Sequence, residues 1–325
     1  MTVPLPWQEG LWQELQDRIR GQNLPHALLF CGNHGYGKAI FARNLAQSLL
    51  CQSPTDTGAP CGHCHACGLL AAGTHPDLRI IEPAEEGKAI LIDTIRGVAE
   101  FFALKGHYGG RQVVIIQPAE AMNRFAANSL LKTLEEPTPD ALLILVTSRP
   151  SLLLPTIRSR CQRVVFPRPD TSAGLAWLTE HTPAGTDVTT LLALADGAPL
   201  EALELFENGS LEARYNLADQ WLQVISGRGD PLKCAANWSQ LGLVRAVNWL
   251  SSWTMDLIRL KSGAAPDVIT NSDLRPQLQN LAQRLDLRRL FGQLEQLTEY
   301  SRMAGSNLNV QLALEDVMIS WSRRS

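Results

Sequence analysis

The chain has 325 residues, 45% of them hydrophobic, and a formal net charge of −3. That length can bury a large core divided over two or three domains. The acidic balance offers no global basic field for nucleic acid, though local patches stay open. No leader pattern and no apolar run of membrane-spanning length is visible, so a cytoplasmic protein is the expectation. Seven cysteines would suggest disulfides only in a secreted setting, and their clustering points to another use.

In chain order, residues 7–22 have the spacing of an amphipathic helix, with Leu11, Leu15 and Ile19 on one face. His26–Phe30 is a short apolar run that reads as a buried strand. It leads into Gly32-Asn-His-Gly35-Tyr-Gly37-Lys38, which fits G-x-x-x-x-G-K, and Ala39–Leu50 then has helical spacing. Strand, glycine loop and helix together are the setting of a phosphate loop. The glycines let backbone N–H groups point inward. The helix N-terminus adds partial positive charge, and Lys38 adds a full one. The plainer reading is a tight turn that happens to carry a lysine. The next residue is Ala39, where the motif asks for a Ser or Thr oxygen on Mg²⁺.

An insertion follows with its own chemistry. Cys51, Cys61, Cys64 and Cys67 are spaced C-x9-C-x2-C-x2-C. Two consecutive C-x-x-C turns gather three thiolates, with Gly62 and Gly68 for tight turns, and Cys51 can close a tetrahedron. Four thiolates with no open position make a structural Zn²⁺ site. His63 and His65 are substitute ligands, expected to point outward. A redox dithiol or unrelated free cysteines are the competing readings.

Leu78–Glu82 is a short strand, and Ile92, Ile95, Val98 and Phe102 mark a helical face. Gly109-Gly110 breaks the pattern. Gln112–Ile116 is a buried strand, Ala126–Glu136 a helix stopped by Pro137, Ala141–Thr147 a core strand and Val164–Phe166 a short one. Alternating strands and helices predict parallel α/β architecture. Pro167–Asp170 reads as a linker and is followed by a small helical unit to about Gly209. Helical patterns then cover 211–226, 241–261, 274–284, 287–302 and 308–323. Trp221, Trp238, Trp249, Trp253 and Trp321 fall in this region, and most of them are expected in its core.

The other parts of an ATPase are eroded. The strand over Val113–Ile116 ends in Gln117-Pro118, where an acidic pair would hold Mg²⁺ and position water. Glu120 lies three residues further on and is expected in the first turn of the next helix. With Ala39, these changes remove the metal ligands and the water-positioning group together. Ser159-Arg160-Cys161 is kept. An arginine at a domain edge can reach a neighbour's γ-phosphate, whereas a lone arginine is ordinarily a solvated side chain.

Asn128-Ser-Leu-Leu-Lys-Thr-Leu-Glu-Glu-Pro137, then Ser159-Arg160-Cys161, with the four-cysteine insertion after the phosphate-loop helix, resembles the bacterial DNA polymerase III clamp loader over roughly residues 8–205. A weaker echo lies at Asn309–Glu315. The resemblance implies an AAA+ phosphate-loop module over 1–167 with a zinc module at about 51–67. It adds a small helical lid over 168–209 and an all-α collar over 210–325 that assembles with gamma/tau and delta subunits. It implies that Arg160 acts in trans as an arginine finger for a gamma/tau ATP site, and that Thr147 occupies the γ-phosphate-sensing position. The lid arginine of a G-S-x-R pattern is absent, replaced by Gly197-Ala198-Pro199-Leu200. These losses single out the loader's non-hydrolysing subunit, a stator that helps place the beta sliding clamp on primed DNA in the cytoplasmic replisome. The loop of Gly32, Gly35, Gly37 and Lys38 is then expected to hold ATP weakly or not at all. The alternatives are an autonomous ATPase of gamma/tau type, with Glu120 supplying a carboxylate, and a zinc-dependent nucleic-acid-binding module.

Overall fold

The computed structural model describes residues 4–85, 87–104, 106–107, 110–265, 268–303 and 308–322. The expected break at Gly109 and the expected helix end at residue 323 lie outside these. The chain divides into two compact units, Met1–Glu180 with Gly197–Glu201, and His181–Asp196 with Ala202–Ser325.

The first unit opens with a 3-10 turn at Pro6–Gln8 and helix α1 over Glu9–Arg20. Then come β1 (Ala27–Cys31), α2 (Lys38–Leu50), α3 (His65–Ala71), β2 (Leu78–Ile81) and α4 (Ile92–Ala103). They are followed by β3 (Gln112–Ile116), α5 (Arg124–Glu135), β4 (Ala141–Thr147), α6 (Pro155–Arg158), β5 (Gln162–Val165) and α7 (Thr171–His181). The five strands make one parallel sheet in the order β2-β3-β4-β1-β5. Strands β1 and β3 are buried at every position, which is why they read as unbroken apolar runs rather than as alternation. All strand C-termini share one edge, where ligands of open parallel sheets sit.

Local chemistry sets the boundaries. Asn123 Oδ1 accepts from Ala126 N at 2.8 Å, so α5 starts two residues before the apolar spacing suggests, and it ends ahead of Pro137. Helix α1 buries Trp12, Leu15 and Gln16 rather than Leu11. Its anchor is Trp12, packed edge-on against Phe41 at 5.5 Å between centroids. Phe41 in turn meets Phe30 at 5.7 Å and Phe166 at 5.1 Å. This aromatic group ties α1, α2 and β1 together behind the glycine loop, and each buried ring contributes roughly 1.5–3 kcal/mol.

The second unit is helical: α8 (Val188–Leu194), most of α9 (Pro199–Glu207), α10 (Ser210–Ile225), α11 (Pro231–Ser239), α12 (Leu243–Lys261), α13 (Arg275–Arg284), α14 (Leu287–Met303) and α15 (Val310–Ser322). Helix α11 was not anticipated from spacing. Its signal is Asp230, whose Oδ1 accepts from Leu232 N at 2.9 Å, followed by Pro231 in the first turn. Trp221, Trp238, Trp253 and Trp321 are fully buried, with Trp221 centred 5.1 Å from Trp253 and 5.2 Å from Trp321. Trp249 is half-buried.

Candidate functional site

The loop after β1 curls into helix α2 through two left-handed glycines, Gly35 at φ +72° and Gly37 at φ +84°. Gly32 is needed for closeness instead: a Cβ there would lie 3.0 Å from Phe166 Cβ. Lys38, the first residue of α2, is buried. Its Nζ donates to Asn33 O at 2.6 Å and to Ser148 Oγ at 3.1 Å. Burial pushes its pKa down to about 8, with the nearby Glu120 carboxylate acting in the opposite direction.

The chain itself covers the loop. Trp7 Nε1 and Gln8 Nε2 both donate to Tyr36 O, at 3.1 and 2.9 Å. Leu200 N donates to Gly35 O at 3.3 Å. A Cβ on Gly35 would come within 2.7 Å of Glu201 Cβ and 2.8 Å of Ala198 Cβ. Where the motif comparison seeks a lid arginine, Leu200 instead brings its Cδ1 against Gly37. The residues grouped around Lys38 therefore meet its charge with a carbonyl, a hydroxyl and a nearby carboxylate.

At the ends of β3 and β4 the polar groups face inward. Gln117 Nε2 donates to Glu82 Oε1 at 2.6 Å. Glu120 departs from the sequence expectation: it sits in a separate 3-10 turn, Ala119–Ala121, ahead of α5. Its side chain is 5% exposed, and Oε1 accepts from Ser148 N at 3.1 Å. Its Oε2 is buried with no hydrogen-bond partner among the described residues. So the carboxylate reaches the loop region, because the short turn aims it back at β4 rather than along the next helix. Thr147 is buried, and its Oγ1 accepts from Arg149 N at 3.0 Å.

Ser159-Arg160-Cys161 forms a turn between α6 and β5. Ser159 and Arg160 are exposed and Cys161 is buried, its thiol pushed up to about 12 by burial. The Arg160 guanidinium donates to Thr156 O at 3.1 Å and pairs with Glu135 Oε1 at 2.7 Å. Ser148 and Glu201 are residues that sequence reasoning missed; Glu135 and Ala198 stand in motifs that the sequence shows, but their contacts with Arg160 and Gly35 were not foreseen. Their separation in the chain leaves no local pattern to find.

The four cysteines come together. Their Sγ atoms all lie within 4.8 Å of one another, with Cys51–Cys64 and Cys61–Cys67 at 3.9 Å and Cys51–Cys67 at 3.6 Å. A tetrahedron of Zn–S bonds of about 2.3 Å has edges of about 3.8 Å, so the spacing fits Zn²⁺. Backbone N–H groups of Cys61, Cys64 and Cys67 donate to the sulfurs at 3.3 to 3.4 Å. The backbone N–H groups of Cys67 and Gln52 bring Cys64 down to about 6, while burial pushes Cys67 up to about 12. Without a cation Cys67 keeps its proton at neutral pH; a metal such as zinc, which the cluster could hold, would displace it and draw the four sulfurs together as thiolates. His63 and His65 are exposed outside it. Gly62 makes the expected turn at φ +78°, whereas Gly68 lies inside α3.

Residues 7–170 match the family described as "DNA polymerase III, delta subunit", and residues 208–323 match "DNA polymerase III, delta subunit, C terminal". The DNA polymerase III subunit delta' of Pseudomonas aeruginosa is 36% identical over 98% of this chain and 97% of its own length. The chain belongs to the DNA polymerase III delta-prime family. The delta' subunit of Escherichia coli is 32% identical over 97% of this chain and 94% of its own length. A gamma subunit-related protein from Thermotoga maritima shares the fold, with a TM-score of 0.53 at 19% identity, over 96% of this chain and 98% of that one. Within the family's two-part match, the loop, the arginine turn and the cysteine cluster all fall in the first part.

Proposed function

We propose that this chain is the non-hydrolysing stator of the DNA polymerase III clamp loader. It helps load the beta sliding clamp onto primed DNA and donates Arg160 in trans to the ATP site of a neighbouring gamma/tau subunit. Residues 1–167 act as the AAA+ module, 168–209 as a lid and 210–325 as the collar that joins gamma/tau and delta. Zinc in Cys51, Cys61, Cys64 and Cys67 serves folding.

One observation carries the reading. Lys38, the cation of the phosphate loop, is already satisfied by Asn33 O and Ser148 Oγ, while Arg160 is exposed on a turn anchored by buried Cys161. A buried lysine with two of its three donors engaged has little left to offer a phosphate, whereas an exposed arginine that engages Thr156 O and Glu135 still has further donors of its five to present. Ala39 and Gln117 supply no Mg²⁺ carboxylate or hydroxyl to reverse that.

The test is ATP turnover by the purified chain and by the loader reconstituted with gamma/tau and delta. No turnover alone is expected. Arg160→Ala is expected to leave assembly intact and lower the clamp- and DNA-stimulated turnover of the loader. Unchanged turnover of the reconstituted loader would sink the finger assignment.

A second reading is favoured by one observation, the buried Glu120 carboxylate with an unpartnered oxygen. On it the chain is an ATPase in its own right, with Glu120 as the water-positioning group. Turnover by the isolated chain that disappears in both Lys38→Ala and Glu120→Gln would establish that reading and displace the stator.

A further inference from the structure

We infer that Glu135 is a positioning residue for Arg160, holding the guanidinium ready for a neighbouring subunit's nucleotide. The inference rests on the stator reading above and concerns how the arginine is presented.

Glu135 is the last residue of α5. A helix C-terminus carries partial negative charge, so a carboxylate is unfavourably placed there and a cation would suit better. Glu135 is therefore not explained by its own helix. What it meets is Arg160: Oε1 lies 2.7 Å from a terminal nitrogen of the guanidinium, and the other terminal nitrogen donates to Thr156 O at 3.1 Å. The pair is half-open to solvent, at 36% exposure for Arg160 and 50% for Glu135. At that exposure an ion pair adds little to stability, so the contact does not explain the fold either.

Geometry is what the pair supplies. Leu134, directly before Glu135, and Cys161, directly after Arg160, are buried in one hydrophobic cluster with Leu130 and Ile157. Both partners thus project from backbone fixed by the same core. An arginine has five N–H donors in a planar fork. Two are engaged, and they tether the guanidinium while leaving further donors for an incoming acceptor. A long side chain held in this way has less rotamer freedom to lose when it meets a γ-phosphate. An exposed pair is also weak enough to yield as the phosphate's charge arrives.

The experiment uses the reconstituted loader with clamp, primed DNA and ATP. Glu135→Ala should lower the Arg160-dependent part of turnover by about three- to tenfold, with KM for ATP unchanged. Glu135→Gln, which keeps an acceptor oxygen, should retain most of that part. In an Arg160→Ala background, Glu135→Ala should have no further effect. An undiminished Arg160-dependent part in Glu135→Ala overturns the proposal, as does an equal loss in the Arg160→Ala background. If Arg160→Ala itself leaves turnover unchanged, the finger assignment fails first and the positioning role with it. If only the Glu135 variants are silent, the stator reading survives alone.

Discussion

Lys38 shows how one residue can keep a motif and lose its setting. Its burial beside Asn33 O and Ser148 Oγ leaves its proton held more weakly in the folded chain than in the unfolded one, at about 8 against an ordinary 10.5. Between those values the unfolded chain binds more protons, so raising the pH favours the fold. Wild type should therefore gain stability relative to Lys38→Met as pH rises from 8 to 10, by about 2 kcal/mol. Urea unfolding of the two proteins at matched pH reads this directly. Parallel responses would mean that Lys38 is as free as a lysine in water. The glycine loop, the Ser159-Arg160-Cys161 turn and the four cysteines were legible as residue patterns, because each is a short local spacing. What covers the loop was not, since Ala198 and Glu201 lie far along the chain from Gly35. Glu120 was misplaced for a related reason: the extra 3-10 turn between β3 and α5 leaves no apolar period to read.

At the scale of elements, the parallel sheet was legible because buried strands leave unbroken apolar runs at Ala27–Cys31 and Val113–Ile116. Boundaries moved where a polar cap rather than an apolar spacing decided them, as with Asn123 before α5 and Asp230 before α11. The helical unit hides a polar joint that no periodicity reports. Arg214, fully buried on α10, pairs with Asp273 and donates to Asn271 Oδ1 at 2.6 Å. Asn271 in turn donates its backbone N–H and its Nδ2 to Asp256 Oδ2 on α12, each at 2.7 Å. The segment before α13 is thereby clamped to α10 and α12. Removing one partner leaves a buried carboxylate uncompensated. Arg214→Met should cost the second unit about 3–5 kcal/mol, measured by urea unfolding. A loss under 1 kcal/mol would show that water reaches the joint.

The whole molecule is two units, each with its own core, and among the described residues the metal-fitting cluster lies in the first. Metal bound by Cys51, Cys61, Cys64 and Cys67 stabilises only the unit that contains it. Cys64→Ser should lower zinc content measured by atomic absorption, and it should lower the melting transition of the first unit while leaving that of the second in place. A strong chelator should do the same to wild type. A single transition that moves as one would show that the units unfold together. Full zinc occupancy in Cys64→Ser would show that the ligand set is wrong.

The strand order has a consequence for synthesis. β1 lies between β4 and β5, so the first strand made has no sheet neighbour until roughly 110 more residues have been translated. At about 5–20 residues per second, that leaves an apolar strand unpaired on the ribosome for roughly 5 to 20 s. Nascent chains arrested before Ala141 should therefore bind a holdase chaperone and resist folding. Chains arrested with β5 outside the exit tunnel should become protease-resistant in their first unit, because only then does β1 have both neighbours.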